Sequence, residues 1–193
     1  MGDVTRASLV LAVALAVVAG LFAAVSPSSA HAQGDPRWVF YSKDKTWYSS
    51  PWFAGKHRKM VPFGCTTAPY YDPDPRCSDD KGFHHGLDLA MRCGTRLYAG
   101  RRGWVVSNAS LGPAYGENPL LIRNYHLGRD FLLAHTKKVY VKPGDRVRLG
   151  MLLARASDSG APDGCHLHFE VRTAGGGLDT ARSPLRYLDL SAA

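Results

Sequence analysis

Three short stretches carry the side chains that could do chemistry. The first is Phe83-His84-His85-Gly86-Leu87-Asp88. In an extended chain successive side chains alternate faces, so His84 and Asp88 point one way and His85 the other. An imidazole nitrogen and a carboxylate oxygen on one face are two good zinc ligands. The second is Cys165-His166-Leu167-His168-Phe169-Glu170-Val171, which alternates strictly. It places His166, His168 and Glu170 on one face and leaves Leu167, Phe169 and Val171 for a core. Two imidazoles two residues apart on a strand are ~6.5–7 Å apart, which suits one on a metal and one beside it. Glu170 shares their face and could hydrogen-bond a ligand imidazole, or form a surface salt bridge. The third is Ala134-His135, at the end of an apolar run. Taken singly, each has an ordinary explanation: a surface histidine and solvated aspartate, a pair of structural histidines, a lone surface histidine.

The elements that must position these groups read as β-structure. From residue 83 onward, short β-like runs alternate with turn signals. The runs are Leu87 to Ala90, Arg96 to Ala99, Trp104 to Ser107, Pro119 to Asn124, Phe131 to His135, Arg146 to Leu149, Met151 to Ala156 and His166 to Arg172. Gly100-Arg101-Arg102-Gly103 and Pro143-Gly144-Asp145 mark tight turns. Few windows show a helical apolar period, so a single, mostly β, antiparallel domain is expected. Residues 33–63 are rich in aromatics without a sustained period and read as an irregular N-terminal arm, with at most one short strand.

Residues 1–32 read as a signal peptide. Leu9 to Val25 is apolar, and Ala30-His31-Ala32 is an A-x-A processing site. A retained anchor is the competing reading, but the run is shorter than the ~20 residues of a comfortable span. Removal leaves 193 − 32 = 161 residues, enough for one hydrophobic core. It takes away one Arg and one Asp, so the charge stays +8. A basic exported protein suits an anionic surface such as a bacterial wall. Scattered Lys and Arg argue against nucleic acid, and no stable membrane span is expected after processing. Cys65, Cys77, Cys93 and Cys165 make an even count in an exported chain, which points to two disulfides with three pairings open. No C-x-x-C spacing supports cysteine metal ligation. His57 reads as part of a solvated basic patch and His126 as a surface loop residue.

Taken together, the motifs resemble the lysostaphin-type (LytM-like) zinc endopeptidases over roughly residues 62–190. The resemblance rests on HHGLD at 84–88, CGTRLYAGRRGWVV at 93–106, LLAH at 132–135, VKPGDRV at 141–147, GCHLHFEVR at 164–172 and SPLRYL at 183–188. It implies a fold of the lysostaphin/LytM type and a zinc metallopeptidase domain over 64–190. It also implies one Zn2+ per chain, held by His84, Asp88 and His168, with water in the fourth position. His135 and His166 would be catalytic without ligating the metal. A bond between Cys93 and Cys165 would brace the two ligand segments. The family often has Tyr where this chain has Leu133 and Leu where it has Thr136.

The implied function is a secreted, monomeric zinc metalloendopeptidase that hydrolyses peptide cross-links or bridges of bacterial peptidoglycan through a zinc-activated water. With no H-E-x-x-H helix to supply a Glu base, His166 or His135 would take the water's proton. The alternative is a non-catalytic LytM-like module that binds the wall or activates an amidase. Its inactive representatives typically lack some of the five site positions, all of which are filled here.

Overall fold

The computed structural model of the protein describes residues 34–192; the expected signal segment lies outside them. The strands are β1 (Tyr48–Ser50), β2 (Phe53–Lys59), β3 (Gly64–Thr66), β4 (Gly82–His84), β5 (Leu87–Ala90), β6 (Arg96–Tyr98) and β7 (Gly103–Val106). They continue as β8 (Leu120–Asn124), β9 (Arg129–Ala134), β10 (Thr136–Lys137), β11 (Arg146–Val147), β12 (Leu152–Ala156), β13 (His166–Thr173) and β14 (Ser191–Ala192). Twelve of them form one antiparallel sheet, whose main path runs β10-β12-β6-β2-β5-β13-β9-β8-β7-β11. β3 and β4 form a separate hairpin. The mostly β, antiparallel expectation holds. Among the described residues no helix is long and apolar enough to cross a membrane.

β13 organises the sheet because its alternation is strict. Leu167, Phe169 and Val171 are fully buried on one face. Phe169 packs on Trp52 and Phe131 at ring-centroid distances of 4.7 and 6.2 Å. Burying each such side chain stabilises the fold by about 1.5–3 kcal/mol, which anchors β13 against the core. Its other face is thereby directed away from the core with His166, His168, Glu170 and Arg172.

Residues 33–63 differ from the irregular arm expected of them. They supply β1 and the seven-residue β2, which lies inside the sheet between β5 and β6. Two features hide β2 from a period-two reading. Gly55 sits at φ +83°, outside the extended range, and as an exposed glycine it leaves no apolar side chain between the buried Phe53 and His57 on their shared face. His57 is correspondingly no solvated patch residue: it is buried, with its ring nitrogens 3.0 and 2.9 Å from the carbonyls of Ala90 and Ala54. Burial lowers its pKa. The turn at Gly100–Gly103 joins two strands that do not pair with each other. β6 pairs with β12 and β2, and β7 with β8 and β11, so this turn carries the chain between the two halves of the sheet.

Candidate metal centre

The register of the central strands brings the three motifs together. His168 on β13 lies opposite Asp88 on β5 and opposite Ala134 on β9, the residue before His135. Directly opposed residues share a face, so β5 and β13 deliver Asp88 and His168 to one spot. His84 ends β4 and turns back onto it. Nδ1 of His168 lies 2.8 Å from Asp88 Oδ1 and 3.0 Å from His84 Nε2, and His84 Nε2 lies 3.3 Å from Asp88 Oδ1. All three residues are buried. Gly86, between His84 and Asp88, leaves no room for a side chain: a Cβ there would stand 2.6 Å from His168 Cε1 and 2.9 Å from the Phe169 carbonyl.

Each imidazole of the cluster has its outer nitrogen occupied. His84 Nδ1 donates to the Pro62 carbonyl at 3.0 Å, leaving Nε2 to face inward. His168 Nε2 donates to Glu170 Oε1 at 2.8 Å, leaving Nδ1 inward. His135 Nδ1 donates to the Ser159 carbonyl and His166 Nδ1 to the Gly164 carbonyl, at 2.8 and 2.9 Å. Anchoring one nitrogen selects the tautomer and aims the other. The His135 and His166 rings stand edge to face with centroids 4.4 Å apart, and His166 Nε2 is 3.7 Å from Asp88 Oδ1. His135 holds a left-handed φ of +53°, where a non-glycine residue is strained. Its carbonyl is fixed in that pose by Ser157, through the backbone N–H at 2.7 Å and Oγ at 3.0 Å.

The electrostatics call for a cation. Two inward nitrogens and a carboxylate oxygen within 3.3 Å are three acceptors facing one another. Burial lowers the pKa of His168, but hydrogen bonds to Asp88 and Glu170 outweigh it and raise the value to about 10. Burial raises that of Asp88, yet the surrounding histidines hold its carboxyl well below the ordinary range. Burial and the neighbouring His166 and His168 push His135 down to about 3. Two ligand atoms on a tetrahedral zinc, each about 2.0–2.1 Å from it, are about 3.3 Å apart, so the observed donor set fits that ion.

A second layer supports the cluster. The Glu170 carboxylate also accepts from Arg172 Nε at 2.7 Å and from the Tyr115 hydroxyl at 3.0 Å. Arg172 donates in turn to the Tyr115 oxygen at 2.7 Å. Burial raises the Glu170 pKa, but His168 and Arg172 bring it to about 2, and burial raises that of Tyr115. Glu170 is therefore not a surface salt-bridge residue. Arg172 was legible as the next residue on the same strand face; Tyr115 was not, because it arrives from a 3-10 turn 55 residues earlier. Leu133 is fully buried in the core, and Tyr71 and Tyr115 flank the site.

The cluster floors a cleft of about 390 Å³ walled by Tyr70, Tyr71, Asp72, Phe83 and Tyr115. Tyr71 belongs to the excursion between β3 and β4, and its ring centroid is 5.0 Å from that of His84. Cys65 and Cys77 close this excursion at a Cα separation of 5.5 Å. Cys93 and Cys165 come together at 5.2 Å, next to His166. His85 points away from the cluster to the cleft rim, where its Nε2 meets Arg76 at 2.9 Å, and His126 is exposed.

The comparisons with known proteins agree with this geometry. Residues 82–180, just over half of the chain, match the model of peptidase family M23. The glycyl-glycine endopeptidase ALE-1 of Staphylococcus capitis is 31% identical over 107 residues, 55% of this chain and 29% of that protein. This chain thus spans less than a third of that relative. Among solved structures, LytU superposes with a TM-score of 0.57 at 28% identity, covering 69% of this chain and 85% of that one. The catalytic domain of lysostaphin from Staphylococcus simulans superposes at 0.55 with 25% identity, covering 68% and 92%.

Proposed function

Because this chain belongs to peptidase family M23, we propose that it is a secreted zinc metalloendopeptidase hydrolysing peptide cross-links or bridges of bacterial peptidoglycan. The observation that carries the proposal is the convergence of His84 Nε2, Asp88 Oδ1 and His168 Nδ1 within 3.3 Å, beside two more histidines whose Nε2 atoms are bare. His84, Asp88 and His168 would hold one zinc ion, which supplies Lewis acidity toward the scissile carbonyl and lowers the pKa of a water nucleophile. In the tautomers set by Gly164 and Ser159, His166 and His135 each turn an unprotonated Nε2 to the cleft; the low pKa of His135 disfavours its holding a proton, so His166 would take the water's proton and return it to the leaving amine. The tyrosine walls and Phe83 hold the peptide and exclude water around the reacting bond. Export through residues 1–32, action as a monomer, and two disulfides bracing the cleft complete the reading. The charge of +8 favours residence at an anionic wall.

The test is direct. Purified protein should release soluble muropeptides from isolated sacculi, a chelator should stop release, and zinc should restore it. Release that ignores the chelator would remove zinc from the reading. Binding to sacculi with no release under any metal loading would favour a non-catalytic wall-binding module.

Glu170 acts through His168. Glu170→Ala frees the His168 Nε2 proton from its acceptor and leaves Arg172 facing a vacated carboxylate site. Loss of such a partner commonly lowers metal affinity by about 10–100-fold. Competition against a fluorescent zinc chelator should show this weakening, with Glu170→Gln less affected because its amide oxygen can still accept. Unchanged affinity in both variants would reduce Glu170 to a packing role.

A further inference from the structure

The sheet face that carries the metal centre extends well beyond it. Arg172 shares that face with His166, His168 and Glu170, since these residues alternate along β13. Across the sheet Arg172 opposes Asp130, Asp130 opposes Arg123, Arg123 opposes Trp104, and Trp104 opposes Arg146. Opposed residues share a face, so these five form a row across β13, β9, β8, β7 and β11. The intervening positions confirm the assignment: Val105, Ile122, Phe131 and Val171 all point into the core. Trp104 therefore faces the same side as the catalytic cleft. It lies three strands from β13, about 14 Å at normal strand spacing.

The far end of this row is built unlike an ordinary solvent face. Trp104 is 44% exposed, and the Arg146 guanidinium lies 6.0 Å from its ring centroid. Tyr125, 66% exposed, adjoins them along a groove shared with Arg102 and His126. Arg123 is neutralised by a two-bonded pair with Asp130, both contacts 2.8 Å. Among the described residues, Arg102 and Arg146 have no carboxylate partner. A large aromatic left half in water beside unneutralised guanidinium groups marks a surface that something covers. Its charge calls for an anionic partner, and flat aromatic rings suit the apolar face of a ring-shaped unit.

We propose that the Trp104–Arg146 strip, with Arg102 and Tyr125, binds the glycan strand of peptidoglycan. In this arrangement sugar rings lie on Trp104 and Tyr125, and the free carboxylates of uncross-linked stem peptides pair with Arg102 and Arg146. The proposal rests on the peptidoglycan reading above and names how that polymer is held. A strand gripped here lies on the same sheet face as the metal centre, so the peptides it carries are presented to the cleft.

Binding is measured by co-sedimentation with purified sacculi freed of covalently attached phosphate polymers. All proteins carry His166→Ala, so that the wall stays intact during the measurement. Trp104→Ala combined with Arg146→Glu should weaken binding at least tenfold without changing the thermal midpoint. Arg102→Glu alone should weaken it severalfold, and binding should fall with added salt. Equal binding by the double variant would overturn the proposal. So would wild-type strip residues that bind only sacculi still carrying phosphate polymers, because the partner would then be those polymers. No hydrolysis enters the measurement, so failure here leaves the endopeptidase reading standing, and an inactive enzyme would not obscure the binding result.

Discussion

Asp88→Ala is expected to yield a folded protein that neither retains zinc nor cuts peptidoglycan. Asp88 is buried and its Oδ1 stands at the centre of the cluster, 2.8 Å from His168, 3.3 Å from His84 and 3.7 Å from His166. Removing it takes away one of the three proposed ligands and the only negative charge among them. Two neutral imidazoles would remain to hold a divalent ion in a site that hydrates it poorly. A metal ion acting as Lewis acid supplies several kcal/mol of transition-state stabilisation; at about 4 kcal/mol its loss slows turnover roughly 1000-fold. Metal analysis after dialysis and muropeptide release from sacculi read the two effects. Asp88→Asn, which keeps the shape and one acceptor oxygen but not the charge, should retain metal weakly and fall between. An Asp88→Ala protein with bound zinc and near-normal release would show that the ion sits elsewhere.

His166→Ala separates chemistry from metal binding. His166 is buried beside Asp88 and His135 but is not part of the three-atom cluster. Its Nδ1 is committed to the Gly164 carbonyl, so the exposed capability is a single proton-accepting Nε2. Loss of a positioned acid–base group typically costs about 10²–10⁴-fold in rate. We expect turnover on sacculi to fall by that factor with one zinc still bound per chain and with the thermal midpoint little changed. The same substitution at His135 should behave similarly, with an added effect on loop geometry, because His135 occupies a left-handed φ that Ser157 stabilises. If His166→Ala lost zinc together with activity, His166 would be a ligand and the assignment of His168 would need revision.

The contrast between these two histidines shows where sequence reading stops. They are two residues apart on one strand face, and their local pattern is the same. The difference is made across the sheet, where β5 sets Asp88 opposite His168, and the loop from Asp158 to Cys165 offers a carbonyl to His166. The separate roles proposed for them rest on family resemblance. Tyr115 had no signal of its own, since a tyrosine in a glycine-rich turn becomes meaningful only when Arg172 and Glu170 are found beneath it. β2 was missed as a full strand because Gly55 interrupts its alternation, and His57 was misread with it.

Family resemblance joined His84, Asp88, His135, His166 and His168 into one site, while the sequence by itself determined the class of fold and the face on which His166, His168 and Glu170 lie. These follow from short-range rules: alternation along a strand and turn residues at the ends. The tertiary structure decided which ring nitrogen of each histidine faces inward, how far apart the donor atoms stand, and that the cleft's sheet face runs on to Trp104 and Arg146. Those properties depend on strand register, on carbonyls of other loops such as Pro62 and Ser159, and on the pose in which Glu170 and Gly164 meet the histidines two residues away. A chain whose contacts join residues as far apart as 84 and 168 cannot express them in any local pattern.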